Sequence, residues 1–231
     1  MENPFVTLVL VLFLAAASLC AGENPNTLTE AERQAGWRLL FDGKSIDGWR
    51  TYKEGGTIGE GWKVEDGLLK KQRDVKGGDV MTEETFEDFE FSWEWKLEEK
   101  GNNGVKYFII PERGGAVGHE YQMIDDAIVN KPESSCASFY LVAAPDPDKP
   151  LKPMGEWNTS RIVVDGKQVE HWLNGAKVLE YECGDPAILE QVRKTKFKDA
   201  PKFGEKVTGH ILLTDHKDEC WFRNMKIRKL D

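Results

Sequence analysis

Apolar and polar residues alternate without a break from Phe89 to Leu97. Phe, Trp and Leu occupy every second position, and Glu, Ser and Lys fill the positions between them. A period of two places the two sets on opposite faces of a β-strand. The segment therefore predicts a strand with one polar face and one buried face, and the buried face includes Trp93.

Three pairs of turn-forming residues separate other apolar runs. Asp66-Gly67, Asp165-Gly166 and Asn174-Gly175 suit the positive φ angles of two-residue hairpin turns. The last two pairs predict three consecutive strands between residues 161 and 181. Further strands are predicted over residues 104–111, 119–124, 138–143, 210–214 and 221–229. Many short strands without alternating helices indicate antiparallel sheets packed face to face, so we predict an all-β, antiparallel jelly-roll β-sandwich.

Helix signals occur in two segments. Thr29 and Glu32 have the spacing of a capping box, which predicts a short helix over residues 30–34. The second predicted helix covers residues 188–194, and the Pro-rich segment 145–153 is expected to be an irregular loop. The chain contains eight Trp residues, and we expect most of them in the core because large aromatic side chains favour burial.

The first residues have the pattern of an export signal. An apolar run from Phe5 to Leu14 is followed by small residues, which is typical of a signal peptide. The run is shorter than the about 20 apolar residues that span a bilayer. We therefore predict a signal peptide over residues 1–21, an extension with the short helix over 22–36 and a sandwich domain over 37–231. The mature protein is expected to be periplasmic or extracellular and free of the membrane. A lipid anchor on Cys20 is a less favoured alternative because Leu19 precedes it.

Net charge limits the binding partners that are expected, and the cysteine content limits the possible disulfides and zinc sites. The formal net charge is −9, which argues against nucleic acid or an anionic membrane surface as a partner. After removal of the signal peptide, Cys136, Cys183 and Cys220 remain, so at most one internal disulfide can form. Neither a CxxC pair nor a His-rich spacing suggests a zinc site.

One predicted strand carries candidate catalytic groups. Alternation places Glu120 and Gln122 on the same face, and Asp125 would join them if a bulge adds one residue. Two carboxyl groups about 5–5.5 Å apart are the equipment of a retaining glycosidase, so that interpretation stays open. The alternative is a solvated strand edge with ordinary charges.

Histidine and lysine provide further candidates. His216 lies in a predicted loop between Asp215 and Lys217, where a carboxylate can orient a partly exposed imidazole. Lys106 alternates with apolar neighbours and could stabilise an oxyanion if it lies beside Glu120. His171 alternates with Trp172, and a structural role for this histidine is at least as well supported as a role in a site.

Several motifs together resemble one family. The chain resembles the 3-keto-disaccharide hydrolase family, whose members are described as 3-keto-glycoside lyases and 3-keto-2-hydroxyglucal hydratases. The resemblance runs in order through nearly all of the predicted mature chain, over residues 39–45, 48–49, 101–108, 119–126, 155–158, 170–175, 214–216 and 222–224. It implies a concanavalin A-like jelly roll.

The resemblance also implies a reaction. Oxidation at C3 of a sugar makes the C2 proton acidic, so a base can remove it and the C1 substituent can leave; hydration of the glucal product can follow. Such a site needs a base, donors at the C3 oxygen and a proton source. We assign acid and base to Glu120 and His216 in open order, and enolate stabilisation to Lys106. The predicted substrate-binding residues are Asn103, Gln122, Asp125, Asn158, His171 and Arg223.

Two other functions remain open at the level of sequence. The chain could be a non-catalytic carbohydrate-binding module, because fold does not fix function. It could also be a retaining glycosidase that acts on unoxidised glycans. The expected substrate is an oxidised 3-keto sugar or glycoside. No cofactor is predicted, although a divalent cation stays open because loop carboxylates are plentiful.

Overall fold

The computed structural model describes residues 25–53 and 55–230, so the predicted signal peptide lies outside the described residues. Its helices are α1 (Glu30–Gln34) and α2 (Pro186–Arg193). Its strands are β1 (Arg38–Leu39), β2 (Trp49–Thr51), β3 (Trp62–Glu65), β4 (Leu68–Lys71), β5 (Val80–Thr82), β6 (Phe89–Leu97), β7 (Asn102–Ile109), β8 (His119–Ile124), β9 (Asn158–Asp165), β10 (Gln168–Leu173), β11 (Ala176–Glu182), β12 (His210–Leu213) and β13 (Cys220–Lys229). None of the helices in this part of the chain has the length and apolarity needed to cross a membrane.

The strands form two antiparallel sheets. The eight-stranded sheet has the order β11-β10-β9-β6-β13-β4-β3, with β1 also paired to β13, and the five-stranded sheet has the order β2-β5-β12-β7-β8. Side chains from both sheets meet in one apolar core, where the ring of Trp93 lies edge-on to that of Tyr121 at 5.0 Å. The chain is therefore an all-β jelly-roll sandwich, and the predicted fold class is confirmed.

Strand β6 has the phase that its sequence predicts. Phe89, Phe91, Trp93, Trp95 and Leu97 are all buried, while the side chains between them from position 92 onward are partly exposed. Fewer tryptophan side chains are buried than the expectation that most of the eight lie in the core. Trp49, Trp62, Trp93 and Trp95 are buried, whereas the other four are partly exposed and lie against Lys or Arg side chains.

The turns and helices follow the sequence signals with two corrections. Asp66-Gly67 and Asn174-Gly175 have positive φ at both residues, as a type I′ hairpin requires, but Asp165 is the last residue of β9 and the next turn is Gly166-Lys167. The capping box of α1 is present at Thr29 and Glu32. The predicted strand over 138–143 is wrong. Positive φ angles at Ala137 and Leu141 bend this segment, so its β-pairing with β8 is limited to an isolated bridge between Phe139 and Tyr121.

The three cysteines of the described residues are buried and free. Burial raises the pKa of the Cys136 thiol to about 12 and that of Cys183 to about 12. Buried thiols with raised pKa values are poor nucleophiles. Their role is therefore packing in the core.

A directed chain of hydrogen bonds crosses the core between the two sheets. The Gly204 N–H donates to His119 Nε2 at 3.0 Å, so His119 Nδ1 carries the proton that it shares with the Tyr181 hydroxyl at 2.9 Å. Tyr181 contacts the Tyr107 hydroxyl at 2.6 Å, and Tyr107 contacts His171 Nε2 at 2.9 Å. His171 Nδ1 lies 2.9 Å from the Ala137 carbonyl oxygen and must donate to it. Both imidazoles are therefore neutral.

This core chain predicts acid sensitivity. Burial lowers the pKa of His171 to about 4, and burial together with the charge of Arg113 lowers that of His119 well below its usual range. Below about pH 6.5 the unfolded chain therefore binds more protons at these histidines than the folded chain, and stability falls as the pH drops. Each histidine should contribute a slope of about 1.4 kcal/mol per pH unit, and for His171 the contribution ends near its folded pKa.

Denaturant unfolding between pH 7 and pH 5 measures that slope. His171→Gln should be less stable at every pH, because two buried hydrogen bonds change, yet its stability should depend less steeply on pH than that of the unsubstituted protein. Equal slopes for the two proteins would show that His171 is already protonated in the fold.

Candidate active site

A row of side chains crosses the outer face of the five-stranded sheet. The strand register pairs Arg50 with Met81, Met81 with Leu212, Leu212 with Lys106, and Lys106 with Glu120. Their neighbours in each strand point into the core, so alternation sends this row outward. The row changes from apolar at its centre to charged at the β7 and β8 end, where the candidate catalytic groups lie.

Glu120 lies flat against its neighbouring strand. A Cβ atom added to Gly104 would be 2.3 Å from Glu120 Oε1, so only glycine leaves room for this carboxyl group. Glu120 is 6% exposed. Within residues 25–53 and 55–230, no hydrogen bond to its carboxylate is formed, which leaves the group available to a substrate.

The surroundings of Glu120 favour its protonated form. Burial raises the pKa of the Glu120 carboxyl above its usual range, and the charge of Asp79 raises it further, whereas Lys106 and Lys196 act in the opposite direction. A buried carboxyl group with a raised pKa can hold a proton near neutral pH and donate it. The Lys106 ammonium donates to the Ala116 carbonyl oxygen at 3.1 Å and has further N–H bonds to offer.

His216 faces the same region from the loop between β12 and β13. Burial lowers the pKa of His216 below its usual range and the charge of Lys106 lowers it further, while Asp218, Asp79 and Asp215 act in the opposite direction. A histidine with a lowered pKa is neutral at pH 7 and can accept a proton. The charges of Lys106 and Asp79 act on both Glu120 and His216, and the N–H of Asp215, the residue before His216, donates to Asp79 Oδ1 at 2.7 Å.

A buried ion pair fixes the loop that carries His216. Lys71 Nζ lies 3.0 Å from Asp215 Oδ1 and also donates to the carbonyl oxygens of Gln72 and Val75. Asp215 Oδ2 accepts the N–H groups of Gly77 and Gly78, at 3.1 and 2.6 Å. Because every partner is satisfied, the pair joins the 75–79 loop firmly to the 214–219 loop.

The edge of β8 supplies two further groups. The Gln122 amide donates to Asn102 Oδ1 at 3.2 Å, and its side chain is on the same face as Glu120. The Tyr140 N–H donates to the Glu120 carbonyl oxygen at 3.1 Å. Burial and the charge of Glu120 raise the pKa of the Tyr140 hydroxyl, so this hydroxyl stays protonated near the carboxyl group.

Three predicted substrate-binding residues lie in the interior instead. His171 is fully buried in the core chain of hydrogen bonds. Asn103 is buried on the core side of β7, where its Oδ1 accepts from the Gly104 N–H and the Thr214 hydroxyl. Asn158 belongs to the eight-stranded sheet, and its Oδ1 accepts from the Lys152 N–H and the Asn174 amide. The structure therefore places these three side chains away from the outer face that carries Glu120, each with its own protein partners.

Two more predicted residues lie away from the site. Arg223 belongs to β13 of the other sheet, where it pairs with Glu94 at 2.7 Å. Asp125 accepts the N–H groups of Lys100 and Ala127 beyond the end of β8. The register of β8 with β7 has no bulge, and five residues at about 3.3 Å each separate Asp125 from Glu120 by about 16 Å. The two carboxyl groups therefore cannot form the pair of a retaining glycosidase.

Sequence reasoning missed three residues of separate loops: the charges of Asp79 and Lys196 act on the pKa of Glu120, and the charge of Glu120 acts on that of the Tyr140 hydroxyl. No periodic pattern marks loop residues, so only the three-dimensional structure brings them together. Among the described residues, no cluster of three or more His, Cys, Asp or Glu side chains is placed to hold a metal ion.

Fold and site together define a jelly-roll protein with a buried carboxyl group and an ammonium group on the outer face of one sheet and an imidazole in a neighbouring loop. The chain belongs to the 3-keto-alpha-glucoside-1,2-lyase-like domain family, whose sequence profile matches residues 36–228. It is 29% identical to a 3-keto-disaccharide hydrolase of Bacteroides thetaiotaomicron over 231 aligned residues, which cover 85% of this chain and 79% of the relative.

Two solved structures are also similar to this chain. A candidate glycosyl hydrolase from Parabacteroides distasonis superposes with a TM-score of 0.81 at 32% identity, over 90% of this chain and all of the other. A second candidate glycosyl hydrolase of that organism gives 0.64 at 27% identity, over 84% of this chain and 99% of the other. Their names and the family description belong to carbohydrate-active enzymes.

Proposed function

We propose that this carbohydrate-active enzyme cleaves 3-keto-glycosides by removing the C2 proton, expelling the C1 substituent and then adding water to the glucal. The observation that carries the proposal is the buried carboxyl group of Glu120, which makes no hydrogen bond in the described residues and lies beside Lys106. Membership of the family supports the substrate class. The site is proposed to work outside the cytoplasm, as the sequence of residues 1–21 predicts.

The geometry supports a division of roles between the two titratable groups. A neutral imidazole can accept a proton, so His216 is the base that removes the C2 proton. The raised pKa of Glu120 suits a general acid that protonates the departing oxygen at C1. Two groups whose environments move their pKa values in opposite directions are the usual equipment for such chemistry at neutral pH.

Lys106 stabilises the charge that develops between these two steps. When the C2–H bond breaks, its electron pair forms an enolate with the C3 oxygen. A positioned ammonium group offsets this negative charge in a site of low polarity. When the enolate collapses, the C3 carbonyl group reforms, a C1–C2 double bond forms and the C1–O bond breaks. Glu120 gives its proton to the leaving oxygen. Gln122, on the same face, holds a sugar hydroxyl in place.

Addition of water completes the reaction. The glucal accepts hydroxide from water at C1 and a proton at C2, which gives the 3-keto sugar. Elimination followed by hydration equals hydrolysis in its overall balance. This sequence accounts for a family described as lyase-like that also includes a relative named as a hydrolase.

Heavy water distinguishes this route from direct displacement. A 3-keto-disaccharide cleaved in deuterium oxide should yield a 3-keto sugar that carries solvent deuterium at C2, because the original hydrogen leaves as a proton. A retaining glycosidase leaves that hydrogen in place. Mass spectrometry or NMR at early times gives the deuterium content.

The control is the same 3-keto sugar kept in deuterium oxide with heat-inactivated protein, because a ketone exchanges its neighbouring hydrogen slowly without an enzyme. Product from the enzyme should contain clearly more deuterium than this control. Cleavage with no deuterium above the control would exclude elimination.

A further inference from the structure

His216 lies between two residues that are both held by one neighbouring loop, the loop that follows β4. On one side, the Asp215 N–H donates to Asp79 Oδ1 at 2.7 Å. On the other side, the Lys217 carbonyl oxygen accepts the N–H of Asp74 at 2.7 Å. The backbone on each side of His216 is therefore fixed, although His216 itself belongs to neither a helix nor a strand.

Lys71 lies inside this contact and is only 1% exposed. Its ammonium group has three partners: Asp215 Oδ1 at 3.0 Å, and the carbonyl oxygens of Gln72 and Val75 at 2.7 and 2.9 Å. An ammonium group has three N–H donors, so none remains for a ligand. Lys71 therefore does not bind substrate, and its charge is used within the protein.

The second oxygen of Asp215 binds a glycine turn. Asp215 Oδ2 accepts the N–H groups of Gly77 and Gly78, at 3.1 and 2.6 Å. A Cβ atom at Gly77 would lie 2.4 Å from Trp62 Cδ1, and Trp62 Nε1 donates to the Gly78 carbonyl oxygen at 2.7 Å. The turn is thus fixed against the Trp62 ring, and its two N–H groups are already placed for a carboxylate.

This use of Asp215 differs from the role that its place in the sequence suggests. A carboxylate beside a histidine can orient the imidazole through a direct hydrogen bond. Both oxygens of Asp215 have the partners given above instead, and no hydrogen bond from the His216 ring to a carboxylate is formed in the part of the chain that the structure describes. Asp215 therefore acts on the position of His216 through the backbone.

We propose that Lys71 is a positioning residue for the base His216. It holds Asp215, Asp215 holds the glycine turn, and the two joined loops fix the place of the imidazole. The inference rests on the proposed function, because that function assigns the base to His216. Lys71 also offsets the negative charge of Asp215, which is the residue next to the base.

This charge balance gives the positioning role a measurable signature. Asp215 acts to raise the pKa of His216, and Lys71 lies 3.0 Å from that carboxylate. The other charged groups that act on His216, or that line the cavity of about 270 Å³ beside it, are Asp74, Lys76, Asp79, Lys106, Lys217 and Asp218. All of them are more exposed than Lys71, so solvent screens them more strongly. Loss of the Lys71 charge should therefore raise the pKa of His216.

Lys71→Met tests the proposal, because methionine keeps the apolar stem and removes the ammonium group. With a 3-keto-disaccharide as substrate, kcat should fall by about ten-fold or more, since the base is misplaced, while KM changes little. The acidic limb of the profile of kcat/KM against pH should move to higher pH, because an unbalanced Asp215 carboxylate favours the imidazolium form. NMR titration of the His216 imidazole without substrate should show a pKa shift in the same direction.

Lys149→Met is the matched control. The Lys149 side chain is 7% exposed and pairs with Asp126 at 2.7 Å, and neither residue is among the charges that act on His216. This variant should lower the urea midpoint of unfolding but leave the acidic limb and kcat unchanged. A folded Lys71→Met variant that behaves in the same way would overturn the positioning role and leave the proposed function intact.

The double variant Lys71→Met/Asp215→Asn covers the case in which Lys71→Met does not fold, since the single change leaves a buried carboxylate without its counter-ion. Asparagine keeps an oxygen for the glycine N–H groups. The double variant should lose kcat by a similar factor, but its acidic limb should move to lower pH because the charge of Asp215 is gone. Unchanged kcat in the folded double variant would overturn the role of Lys71.

The NMR titrations separate failure of this inference from failure of the proposed function, because they need no turnover. If the unsubstituted protein cleaves no 3-keto-glycoside, the proposed function fails. Opposite shifts of the His216 pKa in the single and double variants would still support the coupling of Lys71 to His216. Identical His216 titrations in the unsubstituted protein and in every folded variant would overturn that coupling.

Discussion

Glu120→Gln is expected to lower kcat on 3-keto-disaccharides by about 10²–10⁴-fold, the usual contribution of general acid catalysis. Glutamine preserves the shape of the side chain above Gly104 but has no proton to give to a departing sugar oxygen. A nitrophenolate leaving group needs no such proton, so a nitrophenyl 3-keto-glucoside should lose far less. The measurement is the ratio of kcat values for the two substrates, with and without the substitution.

His216→Ala is the comparison variant in this experiment. Loss of the base slows removal of the C2 proton whatever the leaving group, so both substrates should lose kcat by a similar factor. Thermal melts must show that both variants are folded. Equal losses on both substrates for Glu120→Gln would contradict its role as the acid. Selective loss on the disaccharide for His216→Ala would reverse the two assignments.

Which side chains of β7 and β8 point to the outer sheet face could largely be predicted from sequence, because residues of a strand alternate between its two faces. Glu120 and Gln122 share a face by period alone, and Lys106 follows from the same rule on the neighbouring strand. The register that pairs Lys106 with Glu120 is set by the pairing of β7 with β8 over the whole length of β8, which no local pattern specifies. The sequence therefore predicts the members of this row but not their contact.

His171 shows why the sequence pattern alone could not place every polar residue on the correct face of its strand. It alternates with Trp172, and alternation cannot say which of the two faces the core. The structure buries the histidine, because its two ring nitrogens satisfy the Tyr107 hydroxyl and the Ala137 carbonyl group. Trp172 remains partly exposed under the guanidinium group of Arg161, at 4.1 Å. Hydrogen bonds from other parts of the chain determine that His171 points into the core, and the sequence of one strand does not reveal them.

The positions of Asp79 and Asp125 depend on loop contacts, which the sequence pattern does not predict. Asp79 reaches the site because Lys71 and Asp215 hold the 75–79 loop, although Lys71 and Asp215 are far apart in the chain. Asp125 leaves the site because its carboxylate is used by nearby backbone N–H groups after β8 ends. Contacts between distant loops and local capping bonds both escape periodicity, since neither repeats along the sequence.

Trp93→Ala is expected to destabilise the fold by about 3–5 kcal/mol, because it removes a large, fully buried side chain. The Trp93 ring stacks on Phe91 at 5.0 Å and meets the edge of Tyr121 at 5.0 Å, so the cavity would lie between the two sheets. Trp93 Nε1 has no hydrogen-bond partner in the described residues. Trp93→Phe should therefore cost much less, since it keeps an aromatic ring and removes an unsatisfied donor.

Urea unfolding of the three proteins measures these differences, with Ser92→Ala as the control on the opposite face of β6. The control should change the free energy of unfolding only slightly. Because Tyr121 is the neighbour of Glu120 on β8, Trp93→Ala should also lower kcat more than the control does. A Ser92→Ala variant as unstable as Trp93→Ala would contradict the observed phase of β6, and with it the separation of the core from the outer faces.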